Sequence, residues 1–245
     1  MPYSREYFRL NFLFAERAAE LASIPLPEAL FRYTHLYRAM RMGTTPNSAN
    51  PDWQAYLAGL ADAEDPPGWT HAFCEERHAR LPPRILENAS GCFSFELWED
   101  GRVRLHFRNA ESPGVSPLCR ERMPVRRAEL ADLFSHLRHT LPGDARVVGG
   151  SWMYHLEAYR RLFPLRFLQT ARPVRTDFQF ITLWGQFLDR DGRVRPRPAD
   201  AFECNIRQAA QQEDLPNCFP FPVLYLEESI QVFYDHFKIP HPGGD

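Results

Sequence analysis

One carboxylate and one imidazole have the residue types and the spacing that general-base catalysis needs. Glu96 and His106 lie in CFSFELWEDGRVRLHF, where apolar and polar residues alternate on both sides of Asp100-Gly101, a pattern typical of a β-hairpin. On neighbouring strands a carboxylate can orient an imidazole and tune it to accept a proton near neutral pH. An exposed cross-strand pair without a catalytic role is the alternative.

The turn of this hairpin decides whether the two side chains meet. A two-residue turn would misalign the apolar rows of the strands, whereas a three-residue turn over residues 100–102 aligns Phe95 with Phe107. A slip of one residue would move a whole apolar row into solvent. The three-residue turn therefore predicts that Glu96 lies directly opposite His106.

The segment VVGGSWMYHLEAYRRLFP is a second candidate for binding or chemistry. Its valines predict a strand, Gly149-Gly150 a tight turn, and the residues after Ser151 a short helix that ends at Pro164. Backbone N–H groups at such a helix start can hold a phosphate or a carboxylate. We therefore expect Gly149, Gly150, Ser151 and Trp152 to bind a ligand, with helix capping by Ser151 as the alternative.

The same strand, glycines, serine and helix also resemble the nucleophile elbow of serine hydrolases. That turn needs a glycine two residues after the serine, where this chain has Met153. It also needs a larger parallel sheet than the sequence indicates. Hydrolysis through Ser151 is therefore kept only as an alternative.

Three potential metal ligands fall on one face of a predicted helix. His71, Glu75 and His78 are spaced i, i+4 and i+7, and Glu75-x-x-His78 is half of the motif of di-iron carboxylate bundles. Those bundles need a second copy of the motif, which the sequence does not contain. We predict a solvated helix face and no metal site.

The charge pattern narrows the classes of partner. The formal net charge is −2, which argues against nucleic acid and anionic membranes as partners. Only Lys238 among the 29 basic residues is a lysine, and the arginines are spread along the chain. In RYTHLYRAMR, residues 32–41, the tyrosines lie on the apolar stripe and the arginines off it, as in a helix docked on a core. We expect a small-molecule ligand, with a protein partner as the alternative.

The cysteines and the apolar segments indicate the cellular compartment of the protein. Five widely spaced cysteines without a CxxC pair indicate reduced thiols rather than a disulfide scaffold or a zinc ribbon. The first residues, MPYSREYFRLNFLF, lack a signal-peptide pattern, and no apolar run approaches membrane-spanning length. These features predict a cytoplasmic protein with no membrane partner.

The predicted elements divide the chain near residue 85. Residues 1–85 hold four helical patterns and form a helical N-terminal region. Residues 86–245 predict a mixed sheet with a ββαβα core, so the fold class is α+β, in two regions or one continuous domain. The core is followed by four further elements: a strand FQFITLWGQFL, a helix capped by Asp200 and Glu203, a strand PVLYL and a helix ESIQVFYDHF.

About a third of the chain, from Gly91 to Pro164, resembles the C-terminal half of the GNAT-like acyltransferase family that carries a helical N-terminal domain. The residues that carry the resemblance are Phe93 and Phe95 in a Phe-rich strand, Leu105-His106 in the next strand, Leu130 to Leu137 in a helix, Ser151-Trp152 after a strand, and Leu162-Phe163-Pro164. The resemblance implies a GNAT-like fold and transfer of an acyl group from acyl-CoA to a small amine. The glycine-spaced loop that holds the coenzyme A pyrophosphate in ordinary members is absent from this sequence.

These observations lead to acyl transfer as the leading hypothesis. His106 is expected to act as the general base, oriented by Glu96, with the Gly149-Gly150-Ser151 turn near the acyl donor. A non-catalytic protein that binds a partner through its arginine- and aromatic-rich surface is the main alternative. An enzyme should show a recess beside His106, and a binding module an exposed apolar patch.

Overall fold

The protein, seen in a computed structural model that describes residues 3–43, 45–82, 88–112 and 114–240, combines α-helices with one six-stranded sheet. The α-helices of the described residues are α1 (Arg5–Ala22), α2 (Leu26–Tyr33), α3 (Leu36–Ala39), α4 (Pro51–Ala61), α5 (Pro66–Arg80), α6 (Met123–Thr140), α7 (Glu157–Arg160), α8 (Leu165–Leu168), α9 (Ile181–Trp184), α10 (Pro196–Gln208) and α11 (Ile230–Phe237). The strands are β1 (Ala89–Ser90), β2 (Phe93–Leu97), β3 (Val103–Phe107), β4 (Arg146–Ser151), β5 (Arg172–Val174) and β6 (Val223–Ser229). The predicted α+β class is confirmed.

The chain separates into two compact units. The helical unit comprises residues 1–83 and 175–222, and the sheet unit comprises residues 84–174 and 223–245. The first boundary lies close to the predicted division at residue 85. The sequence predicts one region over residues 86–245, and residues 175–222 of that range lie in the helical unit.

Aromatic packing explains why residues 175–222 join the N-terminal helices. Helix α1 begins after Ser4, whose Oγ accepts a hydrogen bond from the Tyr7 N–H at 3.3 Å. One face of α1 buries Phe14, whose ring lies 5.1–5.8 Å from four rings of the later segment. Those rings belong to Phe178, Trp184, Phe202 and Phe219. Tilted and edge-on contacts of this kind add to the burial of apolar area.

The segment FQFITLWGQFL does not form the predicted strand, so this prediction is wrong. It forms α9 followed by a 3₁₀ turn at Gly185–Phe187, and the indole N–H of Trp184 donates to the Phe178 carbonyl at 2.5 Å. A short apolar run does not distinguish a strand from a buried helical turn by its period alone. Similarly, α10 begins at Pro196 in a first-turn position rather than at Asp200.

The sheet of the sheet unit is mixed, with strand order β1-β2-β3-β4-β6-β5. Strands β3 and β4 are parallel, and every other neighbouring pair is antiparallel. The parallel pair is connected through α6, as parallel neighbours require a crossover. The predicted last strand and last helix are confirmed as β6 and α11.

The two faces of this sheet differ in character. One face packs against α6 and α11 in a core that includes Phe93, Leu105, Phe134 and Phe233. Side chains alternate along each strand, so the opposite face is set by the register of the pairs. We call it the polar face, and its polar or small residues are Ser94, Glu96, Arg104, His106, Arg146, Gly150, Arg172, Tyr225 and Glu227.

The hairpin of β2 and β3 has a three-residue turn, but its position corrects the predicted register. Phe95 pairs with Leu105 and Leu97 with Val103, so the turn covers residues 99–101. Gly101 has φ +80°, which is the left-handed conformation required of the last residue in such a turn. The register is shifted by two residues, and the apolar row keeps its face because side chains alternate with period two.

Within the described residues, no helix is both long and apolar enough to cross a membrane.

Candidate functional site

His106 and Glu96 meet on the polar face, although they are not directly opposite each other. The Cα partner of His106 is Ser94 and that of Glu96 is Arg104, so the predicted direct pairing is wrong. The two side chains are diagonal neighbours, and diagonal neighbours on a sheet are within reach of long side chains. His106 Nε2 lies 3.3 Å from Glu96 Oε2, and 41% of the His106 side chain is exposed.

The surroundings of His106 favour its neutral form. Partial burial lowers the pKa of His106 from its ordinary value, and the positive charge of Arg104 lowers this pKa further. The hydrogen bond with Glu96 raises the pKa and opposes part of this effect. The net result is an imidazole that holds a free lone pair at neutral pH, which a general base requires.

The Gly149-Gly150-Ser151 segment is extended strand, and the predicted tight turn is wrong. All three residues belong to β4 and pair with β6, Gly150 opposite Tyr225 and Ser151 opposite Leu224. The two glycines differ in what surrounds them. A Cβ at Gly149 would overlap the hydroxyl of Tyr154, whereas a Cβ at Gly150 would meet nothing within 4 Å.

The contacts of Ser151 and the burial of Trp152 give each residue a structural role. Ser151 Oγ accepts a hydrogen bond from the Met153 N–H at 3.1 Å and caps the 3₁₀ turn Trp152–His155. Capping was the alternative use of this serine. Trp152 is buried, with 8% of its surface exposed. The predicted helix after Ser151 is divided into this turn and the single turn α7.

Strands β3 and β4 separate soon after they meet. Their parallel ladder holds two residue pairs, Val103 with Val147 and Arg104 with Val148. Beyond these pairs β3 continues through His106 and β4 continues through Gly150 without further pairing between the two strands, every residue of which the structure describes. We call this unpaired stretch at the carboxyl ends of both strands the opening. Ligands bind at the carboxyl ends of the strands in sheets with parallel neighbours.

Gly150 lies at the centre of the residues that border this opening. On the polar face, its neighbour on β6 is Tyr225, and His106 extends along β3 on the other side. A Cβ at Gly150 would meet nothing within 4 Å, and we call this open space above the Gly150 backbone the recess.

Tyr225 is held by a network of charged groups. Its hydroxyl donates to Glu227 Oε2 at 2.6 Å and accepts from Arg102 Nη1 at 3.0 Å. Arg146 Nε donates to the other oxygen of Glu227 at 2.5 Å. The bond from Tyr225 is the main reason that the pKa of Glu227 is lowered, and burial raises the pKa of Tyr225. The network fixes the ring of Tyr225 beside Gly150.

Sequence reasoning identified His106 and Glu96 but missed Tyr225 and Glu227. Tyr225 and Gly150 are 75 positions apart, and their contact depends on the pairing of β4 with β6. The available signal was the alternation in VLYLEES, which puts Tyr225 and Glu227 on one face of a predicted strand. Nothing in that alternation shows which strand is the neighbour.

The predicted helix face with His71, Glu75 and His78 lies on α5 in the helical unit. His71 Nε2 lies 3.6 Å from Glu75 Oε1, and the imidazole of His78 contacts the Ala39 carbonyl at 2.7 Å through Nε2. His71 and Glu75 thus contact each other, whereas His78 contacts the backbone of another helix. Among the described residues, no group of three His, Cys, Asp or Glu side chains has a metal-binding arrangement.

The coenzyme A pyrophosphate would be expected at the start of α6, because this helix connects the parallel strands β3 and β4 and a helix N-terminus can bind an anion. There Arg122 and Arg126 both donate to the carboxylate of Glu111, at 2.7 and 2.9 Å. Arg126 also donates to Glu129, and a 3₁₀ turn at Arg120–Arg122 supplies carbonyl partners for N–H groups at this end. The residues present are committed to one another and do not fit a pyrophosphate.

No protein-family model, curated protein or solved structure matches this chain.

Proposed function

We propose that the sheet unit transfers an acyl group from a thioester to an amine, in the opening between β3 and β4. The observation that carries the proposal is the separation of these parallel strands, with the neutral imidazole of His106 on one side and the open space at Gly150 on the other. An exposed backbone edge beside a neutral histidine suits a reaction that needs an extended donor and one proton acceptor.

The order of elements in the sheet unit also supports this proposal. A strand with Phe93 and Phe95, a strand with Leu105-His106, a long helix, and a strand that ends at Ser151 follow one another as the resemblance to GNAT-like acyltransferases implies. Fold alone does not establish activity, so the proposal depends on the residues at the opening.

The proposed reaction assigns one role to each side chain. An ionised carboxylate only accepts hydrogen bonds, so the contact with Glu96 keeps the proton of His106 on Nε2 and leaves the Nδ1 lone pair free. The amine nitrogen attacks the thioester carbonyl, its proton passes to Nδ1, and the C–S bond breaks to release a thiolate, which takes up this proton from Nδ1. Glu96 is a positioning residue, and His106 is the general base.

The test is a measurement of thiol release from acyl thioesters in the presence of a panel of amines. The panel of donors should include acetyl coenzyme A and a short thioester without a nucleotide, since the start of α6 does not fit a pyrophosphate. His106→Gln is expected to lower kcat/KM by about 100- to 10,000-fold, which is the usual contribution of a general base.

A matched control is His139→Gln, which removes an exposed histidine from α6 of the same unit. This control should keep the wild-type rate. Wild-type protein that consumes no thioester with any amine, or a His106→Gln variant with unchanged kcat/KM, would overturn the proposal.

A further inference from the structure

Among the arginines on or next to the polar face, Arg172 lies over the Tyr225 ring, 4.9 Å from its centre, and the other four fall into two groups. Arg102 and Arg146 are bound to carboxylates, Arg102 to Asp100 at 2.6 Å and Arg146 to Glu227 at 2.5 Å. Arg104 and Arg108 have no hydrogen bond or ion pair from their guanidinium groups to any described residue. The second group therefore carries positive charge that this part of the chain does not neutralise.

The two uncommitted arginines flank His106 on the same strand. Arg108 follows β3, but its N–H donates to the Cys92 carbonyl at 2.9 Å, which extends the β2–β3 ladder by one step. Alternation puts Arg104 and His106 on the polar face, about 7 Å apart. Arg108 is exposed and lies two residues beyond His106, opposite the buried Cys92. The strand that borders the opening thus presents two cationic groups, one on each side of the proposed base.

The carboxylate of Glu96 does not neutralise Arg104. Glu96 is the Cα partner of Arg104, yet its side chain contacts His106 and forms no ion pair with Arg104. Arg104 is half-buried, and its guanidinium lies 5.8 Å from the centre of the Trp98 ring. At this distance a cation–π contact is near its outer limit and does not replace a carboxylate partner.

We propose that the amine acceptor of this site carries a carboxylate, which Arg104 binds with help from Arg108 while the amine lies beside His106. The inference rests on the proposed acyl transfer. It names the acceptor class as amino acids or other amines with an acidic group. Guanidinium groups bind carboxylates through paired hydrogen bonds, and the half-buried Arg104 loses less to solvent screening than the exposed Arg108.

The experiment compares amines in matched pairs that differ in one carboxylate. Tyrosine and tyramine, lysine and cadaverine, and histidine and histamine serve as acceptors with an acetyl thioester donor. Wild-type protein is expected to prefer the member with the carboxylate. Arg104→Gln should lower kcat/KM for that member by about 10- to 100-fold and leave the other member unchanged, since a charged hydrogen bond is lost.

Three further variants complete the design. Arg108→Gln should show the same selectivity with a smaller loss, and Arg104→Lys should retain part of the preference because lysine keeps the charge without the paired geometry. Arg161→Gln is the control, because it removes an exposed arginine of the same unit that is already bound to Glu157. It should retain the wild-type preference.

The possible results separate this inference from the proposed function. Equal rates for both members of every pair would overturn the carboxylate site and leave acyl transfer intact. If no amine is acylated, acyl transfer is overturned. The carboxylate site is then tested by following the NMR signals of the His106 ring while tyrosine or tyramine is added. A shift with tyrosine that Arg104→Gln abolishes supports the carboxylate site, and no shift with tyrosine overturns it.

Discussion

In the helical unit polar side chains are enclosed within an aromatic core, whereas in the sheet unit they gather on one face of a sheet. Tyr7 and His35 of the helical unit are 0% and 4% exposed, and the Tyr7 hydroxyl lies 2.9 Å from His35 Nδ1. Glu96 and His106 of the sheet unit form a similar contact with about half of each side chain exposed. A buried polar pair that excludes solvent stabilises a fold, while an accessible one can meet a substrate. The location of a histidine therefore says more about its role than its residue type.

The largest expected effect is the loss of a large aromatic ring from the helical unit. Trp184 is completely buried against Tyr7, Phe14 and other rings. Trp184→Ala should lower the free energy of unfolding by about 3–5 kcal/mol through lost contacts and a cavity. Trp98→Ala on the polar face is the matched change and should lower it by less than about 1 kcal/mol. Urea unfolding followed by circular dichroism measures both, and equal effects would contradict the contrast between the units.

The second comparison uses the two adjacent glycines of β4. Gly149→Ala should lower the free energy of unfolding by about 1–3 kcal/mol, because the new methyl group overlaps the Tyr154 hydroxyl. Gly150→Ala points into open space and should leave stability unchanged or raise it by about 0.4–1 kcal/mol. Thermal unfolding measures this difference. In the thioester assay, Gly150→Ala should nevertheless slow acyl transfer, since it fills the recess.

A third comparison removes one hydroxyl from each unit. Tyr7→Phe should lower the free energy of unfolding by about 1–3 kcal/mol because the buried hydrogen bond between the Tyr7 hydroxyl and His35 Nδ1 is lost. Tyr225→Phe removes a partly exposed hydroxyl bound to Glu227 and should cost less than about 1 kcal/mol. Chemical denaturation of both variants beside wild type gives the two values. A larger loss for Tyr225→Phe would show that the network on the polar face is a structural one.

The smallest expected effect concerns acid pH. Burial lowers the pKa of His78 in the helical unit, and burial together with Arg104 lowers that of His106. Unfolded histidines titrate near pH 6.5, so just below this pH the unfolded chain binds more protons than the folded one. The contribution of these two histidines to the free energy of unfolding should therefore be complete above about pH 6.5. It should decrease as the pH falls from there through the lowered pKa values. Urea midpoints between pH 7.5 and 5 measure this slope, and His78→Gln and His106→Gln should each make it shallower.

Local pattern predicted much of the sheet unit but not its register. The alternation around Asp100-Gly101 fixes which side chains share a face, and two registers two residues apart satisfy it equally. The left-handed conformation of Gly101 selects the one that forms. The prediction that Glu96 and His106 interact holds in the weaker form of a diagonal contact, since the shift preserves the face and changes the partner.

The helical unit shows where local pattern is insufficient. Residues 178–188 form a short and mostly apolar run, which is compatible with a strand and with a buried helix. Contacts with Phe14, more than 160 positions earlier, decide for helix. In the same way, the two adjacent glycines predict a turn from sequence, but both lie in a strand. Gly149 is needed there because any larger side chain would overlap the hydroxyl of Tyr154.

The sequence by itself determined the mixed α+β class, the alternating hairpin, the final strand and helix, and the presence of a carboxylate on the same sheet face as His106. These follow from periodicity and turn chemistry, which act over a few residues. The tertiary structure decided that β3 and β4 separate after two pairs, that Tyr225 lies beside Gly150, and that Arg104 has no ion pair with a carboxylate among the described residues. Such features depend on strand order and on contacts between distant parts of the chain, for which a local pattern carries no information.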